Sequence, residues 1–343
     1  MDATPDKTYQ DFSLLTLAGG SPERRVTFLK AIASTLTEKS IRMLVVYLNT
    51  TLAAQQENHG GFIGSHYDRV ILDREDSSGG PGGEGDVRLN SILVQHCCSY
   101  DLVIICSTDK AGPEEVLLFE GQDRGEEPLF RYGPEDDTAL LAQSLYEWVT
   151  GKVMAVPVWG CVLIGGKSTR MGQPKHLIAD DAGITWGEKI ATILSELTEK
   201  IVLSGEGDVP EALASLDRLT DIPGAQGPLA GILAAMRWNP HVSWIVAACD
   251  MPGLNHDGVR WLLNHRCPGL WGTVPLNPQS QRHEPLFAHY DFRSRTLFEA
   301  LLRSGSLRPN LVCKNDKIAT PTIPVGLTHS WCNCNTPDDL SRL

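Results

Sequence analysis

Positive charge is scarce in this sequence. Its 30 Lys and Arg stand against 42 Asp and Glu, a formal net charge of -12, which argues against a nucleic-acid surface and for anionic substrates met by local cations. Long apolar runs are missing as well. No stretch of about 18 apolar residues occurs, the length a membrane span needs, and the polar start Met1-Asp2-Ala3-Thr4-Pro5-Asp6 reads as no secretory signal. A cytoplasmic protein without membrane or nucleic-acid partners is expected. Cysteine is present but unpatterned: nine, an odd number spread over the chain, suit free thiols better than a disulfide framework. Cys332-x-Cys334 and Cys97-Cys98 have no second Cys-x-x-Cys and no His at finger spacing, so zinc is not expected.

What is there is long enough, at 343 residues, for two ordinary domains. Apolar strand-length runs alternate with helical patterns in both halves, which predicts α/β sheets covered by helices. In the first half the predicted strands are Ser13 to Leu17, Met43 to Leu48, Val70 to Leu72 and Leu102 to Cys106. Ser77 to Gly85 is too rich in Gly and Pro to pack a core and reads as a loop. A second acidic, Pro- and Gly-containing stretch from Glu120 to Asp137 precedes a predicted helix over Thr138 to Val149. The linker is expected near Thr150 to Val156, giving domains at residues 1–150 and 155–343.

The most informative segment, residues 163–175, reads Leu-Ile-Gly-Gly-Lys-Ser-Thr-Arg-Met-Gly-Gln-Pro-Lys and closes the apolar run that begins at Val158. Gly165 and Gly166 lack Cβ, so the backbone can take positive φ and turn its N–H groups toward an anion. Arg170 and Lys175 can then neutralise phosphate charge. The segment is not a Walker loop, because no Gly-Lys-Ser/Thr follows at P-loop spacing. Gly-Gly alone fits a plain strand-to-helix turn with solvated cations equally well; Arg-Met-Gly and the later Lys favour the phosphate reading.

Asp250 ends the apolar run Trp244 to Cys249 and is expected at the carboxyl end of a buried strand, where α/β sheets place ligand chemistry. One aspartate is adequate for Mg2+, which keeps several waters and takes phosphate oxygens. The alternative is a cap on the helix that follows Met251-Pro252. Asn333 and Asn335 alternate on an extended stretch, so both should point one way and Cys334 the other. Their paired amides can meet a polar ligand or metal-bound water, or merely order the turn at Thr336-Pro337-Asp338-Asp339.

Over about residues 155–343 the chain resembles the molybdenum cofactor guanylyltransferases, the MobA proteins. Their signature Leu-x-Gly-Gly-x-x-x-Arg-Met-Gly-x-x-Lys is matched from Leu163 to Lys175. Gly227-Pro228-Leu229-Ala230-Gly231, Ala248-Cys249-Asp250-Met251-Pro252 and Asn333-Cys334-Asn335-Thr336-Pro337-Asp338-Asp339-Leu340 follow in the family's order. The resemblance implies a Rossmann-like nucleotidyltransferase fold with a mainly parallel sheet, which moves GMP from GTP to molybdopterin or Mo-molybdopterin and releases pyrophosphate. Its implied catalytic residues are Arg170, Lys175 and Asp250, with Mg2+ on Asp250. Its implied GTP contacts are Leu163, Ile164, Gly165, Gly166, Lys175, Asp221, Pro228, Leu229, Gly231 and Asp250. Asp221 matches an acidic position beside the guanosine, and a carboxylate can accept from guanine N1–H and N2–H2. Arg282, His283, Asn333 and Asn335 are the implied molybdopterin contacts. Other cofactor-biosynthesis proteins and client oxidoreductases are implied partners. One departure is the family's asparagine after the preceding strand: Ile201-Val202-Leu203 is followed by Ser204-Gly205-Glu206.

The first half also has strand, glycine turn and helix from Leu14 to Leu29, where a P-loop would sit. Counting from Gly19, Arg24 stands at the P-loop Gly, Arg25 at its Lys and Val26 at its hydroxyl residue, so the Mg2+ ligand is gone. This half resembles a degenerate MobB, the P-loop partner of the guanylyltransferase; Asp101-Leu102-Val103-Ile104-Ile105 resembles the partner's strand, but Cys106-Ser107 replaces its Glu-Gly. It is expected to have lost hydrolysis and to serve as a scaffold for the enzyme domain or for a partner; the alternative is an unrelated α/β domain with an ordinary turn at Gly19-Gly20. The competing functions are molybdopterin cytidylyl transfer, whose family more often has Ala-Ala-Gly than Ile164-Gly165-Gly166, and non-catalytic cofactor delivery.

Overall fold

A computed structural model describes residues 13–47, 67–71, 99–106, 115–120, 127–165, 172–336 and 339. The chain divides into two compact units, Met1–Ala155 and Val156–Leu343. The Ser77 to Gly85 loop and the cysteines Cys97 and Cys98 lie outside the described residues.

In the first unit, β1 (Leu14–Gly19) runs into α1 (Pro22–Glu38), followed by β2 (Met43–Tyr47), β3 (Asp68–Ile71), β4 (Leu102–Cys106), β5 (Val116–Glu120), β6 (Phe130–Tyr132) and α2 (Thr138–Ala155). The sheet order is β3-β2-β4-β1-β5-β6. The first four strands in that order are parallel, whereas β5 and β6 join antiparallel. The wholly buried β1, β2 and β4 are continuous apolar runs, as parallel strands covered on both faces require. Ser21 caps α1 by accepting from the Arg24 N–H at 3.3 Å, with Pro22 in the first turn.

Two sequence expectations are corrected here. Phe130–Tyr132 forms a strand inside the acidic stretch that reads as a connection. The presumed linker is mostly helix, since α2 continues to Ala155. The reason is visible in its spacing: Leu145, Val149 and Val153 are all buried, one every four residues, so the apolar stripe outlasts Val149.

The second unit contains β7 (Val158–Leu163), α3 (Trp186–Ser195), β8 (Lys200–Ser204), β9 (Asp217–Leu219), α4 (Pro228–Trp238), β10 (Ser243–Ala248) and α5 (His256–Asn264). Then follow β11 (Gly272–Thr273), β12 (Leu276–Asn277), β13 (Arg282–His283), β14 (Phe287–Tyr290), α6 (Arg295–Arg303) and β15 (Ile318–Ala319). Seven strands form one sheet, ordered β15-β11-β14-β10-β7-β8-β9, and β12 pairs with β13 in a separate ribbon. From β10 to β9 the strands are parallel; β14 lies antiparallel to both β10 and β11. This is the mainly parallel α/β sheet that the sequence predicts.

Alternation along the strands divides the core in two. Val162, Ile245 and Ala247 face a layer with Ile190 and Leu194 of α3 and Val259 and Leu262 of α5. Cys161, Trp244 and Val246 face Leu229, Ile232 and Leu233 of α4 and Phe298 of α6. With both faces covered, the free edge of the sheet for ligands is the carboxyl end of its parallel strands. No helix among the described residues is long and apolar enough to cross a membrane.

Candidate active site

The carboxyl ends of β7, β8 and β10 are laced together. Ile164 donates its N–H to Ser204 O at 2.9 Å, and Cys249 to Leu163 O at 3.1 Å. Gly165 then turns with φ +98°, and a Cβ there would lie 3.1 Å from Glu206 O. A side chain is therefore excluded twice, by backbone angle and by the neighbouring loop. Leu163 and Ile164 are themselves core residues, 8% and 7% exposed, so their route to a ligand is through the backbone. Gly166 and Arg170 lie outside the described residues. Where the described residues resume, Gly172 has φ +70°, a 3₁₀ turn spans Lys175–Leu177 after Pro174, and α3 starts at Trp186.

That 3₁₀ turn delivers Lys175 to the end of β10. Its ammonium donates to Asp250 Oδ2 at 3.0 Å and to Asn335 Oδ1 at 2.7 Å. Asp250 lies two residues beyond β10, and its carbonyl accepts from the Cys334 N–H at 2.8 Å. Asp250 caps no helix; Asn255 caps α5 instead, accepting from the Gly258 N–H. The other Asp250 oxygen, Oδ1, is buried and has no hydrogen-bond partner among the described residues. An unsatisfied carboxylate oxygen is costly unless something positive meets it. A hard oxygen donor of this kind fits Mg2+, which draws the rest of its shell from water and phosphate. Among the described residues no group of three His, Cys, Asp or Glu forms a closed metal cage. Cys249, next to Asp250, is no nucleophile: burial pushes its thiol up to about 12.

On the β9 side, Asp221 is exposed two residues beyond the strand. Partial burial raises its carboxyl, and the Glu206 charge adds to the effect. The loop carrying Glu206 is held from both sides: Arg218 donates to Gly205 O and Gly207 O, and the His176 ring sits 2.6 Å from Asp208 O. Gly227, at φ +64°, begins α4 and Pro228 takes its first position. Leu229 is fully buried. Gly231 is a packing glycine, since a Cβ would come within 2.8 Å of Leu163 and 3.1 Å of Ser204 Oγ.

The opposite side, beyond β14, is built from the ribbon and the C-terminal segment. Arg282 pairs across the ribbon with Asn277, and His283 with Leu276. Asn333 and Asn335 are exposed while Cys334 is buried against Ile178 and Trp186. Asn335 engages Lys175, while Asn333 lies toward Glu284, where its amide favours the charged form of that carboxyl. Asp339 accepts from the N–H groups of Asn335 and Thr336, both at 2.9 Å, so this acid ties the turn. Sequence reasoning passed over Glu284. Burial pushes its carboxyl up to about 7, and the Asp250 charge adds to this; the Asn277 and Asn333 amides and Arg282 act the other way. The available signal was an acid set between Arg282-His283 and the apolar strand, in line with Asp250.

The glycine turn of the first unit has a different fate. Arg25, 7% exposed, donates its Nε to the carbonyls of Gly19 and Gly20. A Cβ on Gly20 would meet Val116 at 2.8 Å. The turn is thus occupied by the chain's own guanidinium and packed against β5.

The family model of the MobA-like NTP transferase domain matches residues 160–312. A probable molybdenum cofactor guanylyltransferase of Bacillus cereus is 32% identical over 149 residues, covering 42% of this chain and 73% of that protein. The chain belongs to the MobA-like NTP transferases. A probable molybdenum cofactor guanylyltransferase of Pelotomaculum thermopropionicum is 30% identical over 194 residues, 53% of this chain and 90% of that protein. A molybdenum cofactor biosynthesis bifunctional protein of Synechocystis sp. is 34% identical over 158 residues, and the match spans only 45% of its length. The MobA-like domain of the present chain is a nucleotidyltransferase.

Proposed function

We propose that the MobA-like domain transfers GMP from GTP to the terminal phosphate of molybdopterin or Mo-molybdopterin, giving a guanine dinucleotide cofactor and pyrophosphate. An oxygen of the pterin phosphate attacks the α-phosphorus while the bond to the leaving pyrophosphate breaks in line. Two anions must meet, so positioning and charge neutralisation carry the catalysis. The observation that supports this most is the Lys175 ammonium gripped between Asp250 and Asn335 at the carboxyl ends of the strands. Lys175, together with Arg170, offsets charge on the α-phosphate and the departing pyrophosphate.

Gly165 and Gly166 offer backbone N–H groups to the phosphates, backed by the buried Leu163 and Ile164. Asp250 would hold Mg2+, which when bound would supply positive charge that polarises phosphoryl oxygens. Asp221 accepts from the guanine edge, and the Gly227–Pro228 corner lies against the base with Leu229 and Gly231 fixing it from the core. Arg282, His283, Asn333 and Asn335 grip the acceptor. The first domain, residues 1–150, is a degenerate MobB-like scaffold ahead of the enzyme at residues 155–343, and it recruits partners of the cofactor pathway in the cytoplasm. That relatives carry the name guanylyltransferase supports guanine rather than cytosine as the base read here.

Pyrophosphate release by the full-length chain, with Mg2+ and molybdopterin and each of GTP, CTP, ATP and UTP, tests the reading. Release with GTP alone is expected. Equal use of CTP refutes guanine selection, and release with none favours cofactor delivery.

A further inference from the structure

We propose that Glu284 reads the pterin ring of the acceptor, its carboxylate accepting from the ring N3–H and the 2-amino group. This rests on the reading of the site as a molybdopterin guanylyltransferase. Guanine and a pterin present the same donor pair, a ring N–H beside an exocyclic amino group, and a carboxylate meets such a pair with two parallel hydrogen bonds. The sheet supplies one acid for each. In the order β14-β10-β7-β8-β9, Asp221 follows β9 at one edge, while Glu284 leads into β14 on the far side of β10. Because β14 is antiparallel to β10, with Phe287 opposite Ala247, the start of β14 lies beside the end of β10 that carries Asp250. The Lys175–Asp250 pair therefore stands between the two acids.

The surroundings of Glu284 suit a ligand contact better than a packing role. It is half-buried and near Asp250 in a site that must also accept phosphates, a costly place for a second carboxylate. Its partners do not exhaust it. The nearby amides of Asn277, on the ribbon, and of Asn333, in the C-terminal segment, favour its charged form, whereas a carboxylate offers about four acceptor positions. Its own backbone is fixed, the N–H donating to Pro275 O at 2.8 Å.

The test is equilibrium binding of two fluorescent probes to the full-length chain, 6-hydroxymethylpterin and 6-hydroxymethyllumazine, in which an oxo group replaces the 2-amino group. The intact chain is expected to prefer the pterin by at least about tenfold, the scale of hydrogen bonds to a charged group. Glu284→Gln, which keeps the shape but loses the charge, should erase that preference while leaving GTP affinity unchanged. Equal binding of both probes by the intact chain, no pterin binding, or a preference that survives in Glu284→Gln overturns the inference. Guanylyl transfer is assayed separately: pterin preference without transfer supports the role of Glu284 and sinks the catalytic reading instead.

Discussion

Two strand-to-glycine turns in this chain look alike in sequence and differ in what occupies them. At Gly19-Gly20 the residue at the P-loop lysine position is Arg25, whose guanidinium is buried and bonded to the carbonyls of the turn itself. Beyond the Gly165 turn, Lys175 stands on a 3₁₀ turn at the end of another strand, where it meets Asp250 and Asn335. A glycine turn after a strand fixes only a place where backbone can meet an anion. The cation's next contact decides the rest: one that satisfies the turn's own carbonyls closes it, and one paired with a half-satisfied carboxylate leaves chemistry to be done.

The largest effect that separates the two turns is expected from Asp250→Ala. Losing a group that holds charge against phosphoryl oxygens removes several kcal/mol, so turnover should fall by at least about a hundredfold. Circular dichroism should be unchanged, since the side chain packs no core. Retention of more than about a tenth of the rate, on the same scale, would move the site elsewhere. Asp221→Ala should act next, on choice rather than rate: the GTP-to-CTP ratio of kcat/KM drops by about tenfold, the worth of one hydrogen-bonding acid.

Arg25→Ala should leave transfer unaltered and destabilise the first unit by about 1–3 kcal/mol, because two turn carbonyls lose a buried donor. Thermal unfolding with a parallel assay checks both halves of that statement. The smallest effect concerns pH and the second unit. His289 is fully buried, and burial, with Arg266 and Arg293 adding to it, lowers its pKa to about 3. The unfolded chain takes up that proton near the ordinary pKa of 6.5, so stability is present above it and is lost as pH falls toward 3. Seven of the eight tryptophans lie in this unit, so fluorescence-detected melting should show the slope, and a folded His289→Leu variant should flatten it.

Much of this was legible in the residues. The buried parallel strands were readable as apolar runs, and Asp250 as the first polar residue after one of them. The alternation of Asn333, Cys334 and Asn335 gave their faces, because period two leaves no choice. What escaped was tertiary. Nothing local in Phe130–Tyr132 announces a strand; its place beside β5 does. Gly231 carries a motif position, yet its neighbours Leu163 and Ser204 come from other strands, so its packing role is invisible along the chain. Glu284 was missed for the same reason: the amides near it lie on other segments, and only the antiparallel entry of β14 brings it toward the end of β10 that carries Asp250.

The most direct test of the contrast between the turns is the number of GTP molecules bound per full-length chain, measured by equilibrium dialysis with Mg2+. The account predicts one, lost in Lys175→Ala and retained in Arg25→Ala. Two bound nucleotides, or one that survives Lys175→Ala and vanishes in Arg25→Ala, would contradict it.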